Sequence, residues 1–147
     1  MKQIQLKRAT MNDLQTLIDL EKSVPATNVY SPALTMDDWK DEFEKGEVYL
    51  IKKDDDIVGN ISYEKKSDDH VYVSGILVDY RFQGQGIAKE ALNQVLEKFR
   101  NIKRIDLVTH PDNPAINLYQ SFGFSIESRI ENYYGDGQPR LRLVLNK

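Results

Sequence analysis

Three positions in the stretch QGQGIA, residues 83–88, carry no side chain or only a methyl group: Gly84, Gly86 and Ala88. They precede a helical stripe of apolar residues, Ile87, Ala88, Ala91, Leu92, Val95, Leu96 and Phe99. The first amides of a helix lack internal acceptors and its dipole is positive there, so small residues at this junction let a phosphate approach the backbone. Two phosphate motifs are excluded by the letters. A P-loop needs Gly-Lys followed by Ser or Thr, and a dinucleotide fingerprint needs a glycine where Lys89 stands. The competing use of the glycines is to end a strand and permit tight packing.

The chain that holds this junction has 147 residues, 40% hydrophobic and 29% charged, which suits one globular domain over residues 1–147. Its formal charge of -3 argues against a chain built to neutralise nucleic-acid phosphates, so no nucleic-acid partner is expected. The absence of cysteine removes disulfides, thiolate metal sites and a thiol nucleophile. The opening MKQIQLKRAT has no apolar run behind its basic residues, so no membrane partner and a cytoplasmic location are expected. His70 and His110 stand isolated and do not make a metal site. Asp54, Asp55 and Asp56 lack the ligand spacing of a calcium loop and read as a turn.

The elements that must position the junction follow from periodicity. Residues 3–9 alternate as a strand, and Thr10 then caps a helix over residues 10–23 with Asp13 in its first turn. Ile4, Leu6, Leu14, Leu17, Ile18 and Leu20 are its expected core residues. Residues 24–34 form a Pro-interrupted loop, and Thr35 caps a short helix with Asp37, Asp38 and Trp39 near its start. Residues 47–80 carry three apolar runs separated by charged turns, an antiparallel meander. From Gly84 the order changes to a helix reaching about Arg100, a strand at 103–110, a helix at 114–123, and strands near 124–134 and 140–146. Strand, helix, strand after a meander predicts an α+β fold with a mixed sheet.

The junction resembles the acetyl-coenzyme A site of the GCN5-related N-acetyltransferases, whose pattern is Gln or Arg, two residues, Gly, one residue, then Gly or Ala. Gln83, Gly86 and Ala88 satisfy it. Arg81, Gly84 and Gly86 fit as a second register, and the spacing from Val78 favours the first. NPAINLYQSFGF resembles the family's later segment at Asn113, Ala115, Ile116, Leu118, Tyr119, Gly123 and Phe124. Asn113 lies one residue closer to Tyr119 than in the family pattern, with Asp112 at the usual place. The resemblance implies a single α+β domain with a central, mostly antiparallel sheet of about seven strands and about four helices. It implies acetyl-coenzyme A as cosubstrate, no metal, and a monomer or homodimer. Amides of Gln83, Gly84, Gln85, Gly86, Ile87 and Ala88, with Arg81, would bind the pyrophosphate. The strand at Ile76, Leu77 and Val78 would pair with the pantetheine arm beside a splay of the fourth and fifth strands, and Asn113 and Tyr119 would complete the coenzyme contacts.

The implied reaction is direct attack of a neutral amine on the thioester, with Tyr119 matching the family's general acid. A phenol near ~10 protonating a thiolate near ~8.5 is uphill by about 2 kcal/mol, so Tyr119 is expected to stabilise charge mainly through a hydrogen bond. Its alternative is packing with Ala115, Ile116 and Phe122. The base stays open among Glu64, His70 and His110, with His110 ahead because histidine titrates near ~6.5. Related ribosomal-protein N-terminal acetyltransferases carry a glutamate on the strand before this helix, where Val108 and Thr109 stand here. IENYYGDGQPRLRLVL resembles their C-terminal hairpin, with Tyr133 and Tyr134 at the peptide entrance. A peptide α-amine near ~7.7 to 8.0 is partly neutral at physiological pH, whereas a lysine-like amine near ~10.4 needs a stronger base. The expected acceptor is therefore a peptide N-terminus, with a small-molecule amine as the alternative. A coenzyme-binding module without catalysis is the reading from another class.

Overall fold

The computed structural model describes residues 4–25 and 35–147, so most of the loop expected at 24–34 lies outside the described residues. The elements are β1 (Ile4–Arg8), α1 (Leu14–Ser23), α2 (Met36–Lys45), β2 (Glu47–Lys53), β3 (Asp56–Ser67), β4 (His70–Val78), α3 (Ile87–Lys98), β5 (Arg104–Thr109), α4 (Ala115–Ser121), β6 (Ser125–Ile130) and β7 (Arg140–Asn146). Short 3₁₀ turns at Met11–Asp13 and Tyr80–Phe82 lead into α1 and into the glycine junction. The strands form a seven-stranded sheet in the order β1-β2-β3-β4-β5-β7-β6, mixed in direction as the alternation predicts. Among the described residues no helix is long and apolar enough to cross a membrane.

The chain groups into two compact units, whose described residues are 4–25, 35–64 and 73–100 in the first and 65–72 and 101–147 in the second. In the first unit reciprocal capping boxes open the 3₁₀ turn that leads into α1, Thr10 with Asp13, and α2, Thr35 with Asp38. The register pairs Val48 with Ser62, Tyr49 with Ile61 and Leu50 with Asn60, so β2 and β3 have two distinct faces. On one face Tyr63 meets Phe99 edge-on at 4.8 Å, and Lys98 Nζ donates to the Tyr63 hydroxyl at 2.8 Å. That face is covered by α3, whose Ile87, Ala91, Leu92, Val95 and Leu96 are buried as the stripe predicts. Each large apolar side chain of this kind contributes about 1.5–3 kcal/mol on burial. The other face carries Val48 and Leu50 together with three buried polar residues, Asn60, Ser62 and Glu64. Of the core expected in β1 and α1, Ile4, Leu17 and Leu20 are buried, while Leu6, Leu14 and Ile18 are half-buried.

Gly59 fixes how closely β3 and β4 approach. A Cβ there would lie 2.2 Å from the Leu77 carbonyl oxygen, so no larger residue fits without moving backbone. The Asp79 N–H then donates to Val58 O at 2.7 Å and carries this pairing to the edge of the junction.

In the second unit β5 pairs in parallel with β4 at His70–Tyr72 against Arg104–Asp106. Beyond that register β4 runs on to Val78 and β5 to Thr109. β7 returns antiparallel to β5 and accepts β6 on its other edge. Gly123, in the left-handed region at φ 102, ends α4 and turns the chain into β6.

Candidate active site

The first unit holds the glycine junction. Gly84 and Gly86 both sit in the left-handed region, at φ 80 and φ 79. A Cβ on Gly84 would meet nothing within 4 Å, so packing does not explain this glycine; the backbone conformation and the open space beside it do. The first bond of α3 runs from Glu90 N–H to Gly86 O at 3.1 Å, which leaves the amides of Ile87, Ala88 and Lys89 without intrahelical acceptors. Among the described residues no acceptor meets the amides of Gly84, Gln85 or Gly86 either. A run of unpaired donors at the positive end of a twelve-residue helix, with no side chain in the way, fits a pyrophosphate.

Several side chains hold the junction in shape. Asp79 is buried and accepts from Arg81 N at 2.9 Å, Arg81 Nε at 3.2 Å and Arg81 Nη2 at 3.0 Å. These bonds keep the Asp79 carboxyl below its usual range, the side-chain bond from Arg81 contributing most. The Arg81 guanidinium is otherwise exposed. Gln83 Nε2 donates to Val78 O at 3.1 Å, so the motif's own glutamine ties the junction back to β4. Lys53 Nζ donates to Gln85 Oε1 at 2.6 Å and brings a cation to the middle of the junction. Sequence reading missed both Asp79 and Lys53. Asp79 had a signal, an aspartate at a strand end able to bond a backbone amide two residues on; Lys53 had none, being distant in the chain. Ile76 is half-buried, and Leu77 and Val78 are buried in β4 just before the junction.

The second unit carries Tyr119 on α4. It is buried, at 5% exposure, and packs edge-on against Phe124 at 6.2 Å. Burial pushes its phenol up to about 12. Among the described residues its hydroxyl has no hydrogen-bond partner. Packing and an available donor therefore coexist in one side chain.

His110 is placed differently from a free base. It is buried, its Nδ1 accepts from Asp112 N at 3.0 Å, and its Nε2 lies 3.0 Å from Gln138 Oε1. The Nδ1 bond makes Nε2 the protonated nitrogen, and both are committed within the chain. The Asn113 amide is likewise occupied, Nδ2 donating to Thr109 Oγ1 at 2.9 Å and Oδ1 accepting from Ala115 N at 2.9 Å. Both residues shape the turn into α4.

His70 bonds Asp106 Oδ1 at 2.7 Å, and the buried Asp106 also accepts from Arg142 Nη1 at 2.7 Å. Arg104 adds a bidentate pair to Glu127 at 2.7 and 2.9 Å. This network explains His70 as a bridge between β4 and β5. Tyr133 and Tyr134 pack edge-on at 4.7 Å, with Arg142 Nη2 3.4 Å from the Tyr133 hydroxyl and the Arg140 guanidinium 5.0 Å above the Tyr134 ring. Tyr134 is half exposed and presents an aromatic face. Among the described residues no group of three His, Asp or Glu is placed to hold a metal ion.

Glu64 is buried in the first unit, on the polar face of β3. Beside it Ser62 Oγ lies 2.9 Å from Ser74 Oγ, whose hydroxyl donates to Glu42 Oε2 on α2 at 3.0 Å. Glu42 and Ser74 were not singled out in the sequence. The available signal was the alternation Asn60, Ser62, Glu64, polar every second residue inside an otherwise apolar meander.

Comparison with known proteins agrees with this geometry. The profile of the Acetyltransferase (GNAT) family matches residues 12–124. An Escherichia coli L-amino acid N-acetyltransferase is 33% identical over 87 residues, a match covering 54% of this chain and 54% of that protein, about half its length. A GNAT family acetyltransferase from Elizabethkingia anophelis, solved with acetyl-CoA bound, has the same fold at a TM-score of 0.80 with 20% identity, covering 100% of both chains. The Escherichia coli ribosomal-protein-S18-alanine N-acetyltransferase superposes with a TM-score of 0.82 and 20% identity, covering 97% of this chain and 93% of that one. A family profile over most of the chain, on a sheet and glycine junction of this form, places the chain in the GNAT acetyltransferase family.

Proposed function

We propose that the chain acetylates an α-amine, that of a peptide or protein N-terminus, at the expense of acetyl-coenzyme A. The observation that carries the coenzyme half is the row of unpaired amides from Gly84 to Lys89 at the start of α3. Those amides would hold the pyrophosphate, with Arg81 and Lys53 as neighbouring cations, and β4 at Ile76, Leu77 and Val78 would pair with the pantetheine arm. The coenzyme supplies the activated acetyl thioester. Tyr119 keeps its proton at neutral pH and would donate a hydrogen bond to sulfur. His110 and Asn113 act in this reading by shaping the turn that presents α4, and Tyr133 and Tyr134 form an aromatic wall for the acceptor.

The acceptor follows from amine chemistry. An α-amine near ~7.8 is about a quarter neutral at pH 7.4, a primary alkylamine near ~10.4 only about a thousandth. Two of the similar proteins above are named for an L-amino acid and for a protein's alanine, both α-amines. The L-amino acid relative also supports a second reading, in which the acceptor is a free amino acid. The test is thiol release by the purified chain with acetyl-coenzyme A and, separately, a hexapeptide with N-terminal alanine, free L-alanine and spermidine. Highest kcat/KM on the peptide supports the first reading and on L-alanine the second. Preference for spermidine would overturn the α-amine assignment. Binding is checked independently by melting: acetyl-coenzyme A at a hundred times its Kd should add about 2.7 kcal/mol of stability.

A further inference from the structure

One face of β3 raises a question that the coenzyme does not answer. Asn60, Ser62 and Glu64 are exposed by only 2%, 3% and 7%, yet they lie on a face whose neighbours are Val48 and Leu50. Ser62 leads through Ser74 Oγ to the Glu42 carboxylate, over contacts of 2.9 and 3.0 Å. Burial raises the Glu42 carboxyl above its ordinary value. The carboxylates of Glu64 and Asp41 push in the same direction, while the Ser74 hydrogen bond and Lys45 oppose it. A separate observation stands on the same face. Among the described residues Asn60 Nδ2 is a buried side-chain nitrogen with no hydrogen-bond partner. A donor left unpaired at this depth is a cost unless an acceptor arrives from outside the chain.

Neighbouring contacts locate that donor. Ser62 meets Ser74, and a Cβ on Gly75 would lie 3.1 Å from Ser62 Oγ, while Gly59 lies against Leu77. These contacts bracket Asn60 and put it beside β4 between Gly75 and Leu77, where the stretch assigned to the pantetheine arm begins. Ser74 precedes Ile76 by about 7 Å of strand. The network therefore lies on the far side of that stretch from the glycine junction.

We propose that Glu42, reached through Ser74, binds the acceptor's ammonium group and removes its proton, while Asn60 Nδ2 donates to the oxygen next to that amine. An α-aminoacyl group presents that pair, an amine and a carbonyl oxygen three bonds apart. This deepens the α-amine reading and rests on it. The proton passes from the ammonium nitrogen to the Glu42 carboxylate, directly or with the Ser74 hydroxyl as relay, and from the half-buried carboxyl to solvent. The nitrogen keeps the electron pair needed for attack.

The test uses Glu42→Gln, Ser74→Ala and the parent chain. Calorimetry measures binding of the N-terminal-alanine hexapeptide in the presence of coenzyme A, and separately of acetyl-coenzyme A; kcat/KM is followed across pH. Glu42→Gln should weaken the peptide about tenfold and erase the acidic limb of the profile, with acetyl-coenzyme A affinity unchanged. Ser74→Ala should lower kcat more than it raises the peptide KM. Unchanged peptide affinity together with an unchanged acidic limb would overturn the proposal. So would an equal loss of acetyl-coenzyme A affinity, because it would mark a structural role. If the parent chain binds no acetyl-coenzyme A, the function proposed above fails and takes this inference with it. If it binds and turns over the peptide while both variants match it, this inference alone fails.

Discussion

Replacing Tyr119 by Phe separates catalysis from packing unusually cleanly in this chain. Burial pushes the phenol up to about 12. Against a thiolate near ~8.5, full proton transfer is uphill by roughly 3.5 units, about 5 kcal/mol, and so is not the step that carries turnover. A hydrogen bond from the intact phenol to developing negative charge is the alternative, and such charge-assisted bonds contribute about 1.5–3 kcal/mol, or roughly 10- to 150-fold in rate. Stability gives the control. The hydroxyl has no partner within the described chain, so its removal costs no internal hydrogen bond, and the ring contact with Phe124 survives. Tyr119→Phe should therefore lower kcat by about 10- to 100-fold while its Tm stays within roughly 2 °C of the parent's. Thiol-release kinetics, a melting curve and an acetyl-coenzyme A titration on one preparation suffice. Equal kcat would assign Tyr119 to packing alone. A basic limb below pH 10 that vanished in Tyr119→Phe would refute the raised phenol and restore direct proton transfer.

Four further substitutions test other parts of the site. Gly86→Glu places a carboxylate in the expected pyrophosphate path; at about 6 Å and an effective dielectric near 20, each like-charge pair costs roughly 3 kcal/mol, so acetyl-coenzyme A affinity should fall at least about 100-fold. Gly86→Ala isolates the left-handed strain, about 1–2 kcal/mol of stability, and equal affinity losses in the two variants would reject the electrostatic account. Glu42→Gln should raise stability at pH 7. The folded carboxyl holds its proton to higher pH than the unfolded one, so its stabilising contribution is complete below the ordinary value near ~4.3 and is lost as pH rises through the folded value. Urea unfolding at pH 4 and pH 7 reads this directly; a variant stabilised more at pH 4 than at pH 7 would contradict the sign. Asn60→Leu removes the unpaired amide from a buried, similarly shaped site and should raise Tm by about 2–4 °C while increasing the acceptor KM. A lower Tm with unchanged KM would mean that Asn60 serves the fold.

What the sequence made legible was whatever local physics enforces. Thr10 and Thr35 announce their helices through acidic residues three positions on, and both capping boxes are present. The stripe from Ile87 to Phe99 and the glycines before it place the junction without any long-range information, because helix period and a left-handed backbone are properties of adjacent residues. Boundaries were weaker where side chains compete with the ladder: the strand expected near 124–134 ends at Ile130, since Asn132 turns left-handed at φ 50 and its Oδ1 accepts from Gly137 N at 2.6 Å.

The side chains able to move protons followed another rule, since their availability depends on partners far away in the chain. His110 had the composition of a base, yet both nitrogens are taken by Asp112 and Gln138; His70, a candidate behind it, is held by Asp106. Glu42 looked like any acid on a polar helix, and only the fold buries it, which raises its carboxyl, and brings Ser74 against it from β4 with Glu64 adding to the rise. A strand's polar face is visible as alternation, but whether that face meets water, a helix or a substrate is decided by what packs on it. Asn60, Ser62 and Glu64 were therefore readable as a pattern and unreadable as a site. That asymmetry is physical: an anion cradle is built from contiguous backbone, whereas a buried proton acceptor needs several separate segments to remove its water.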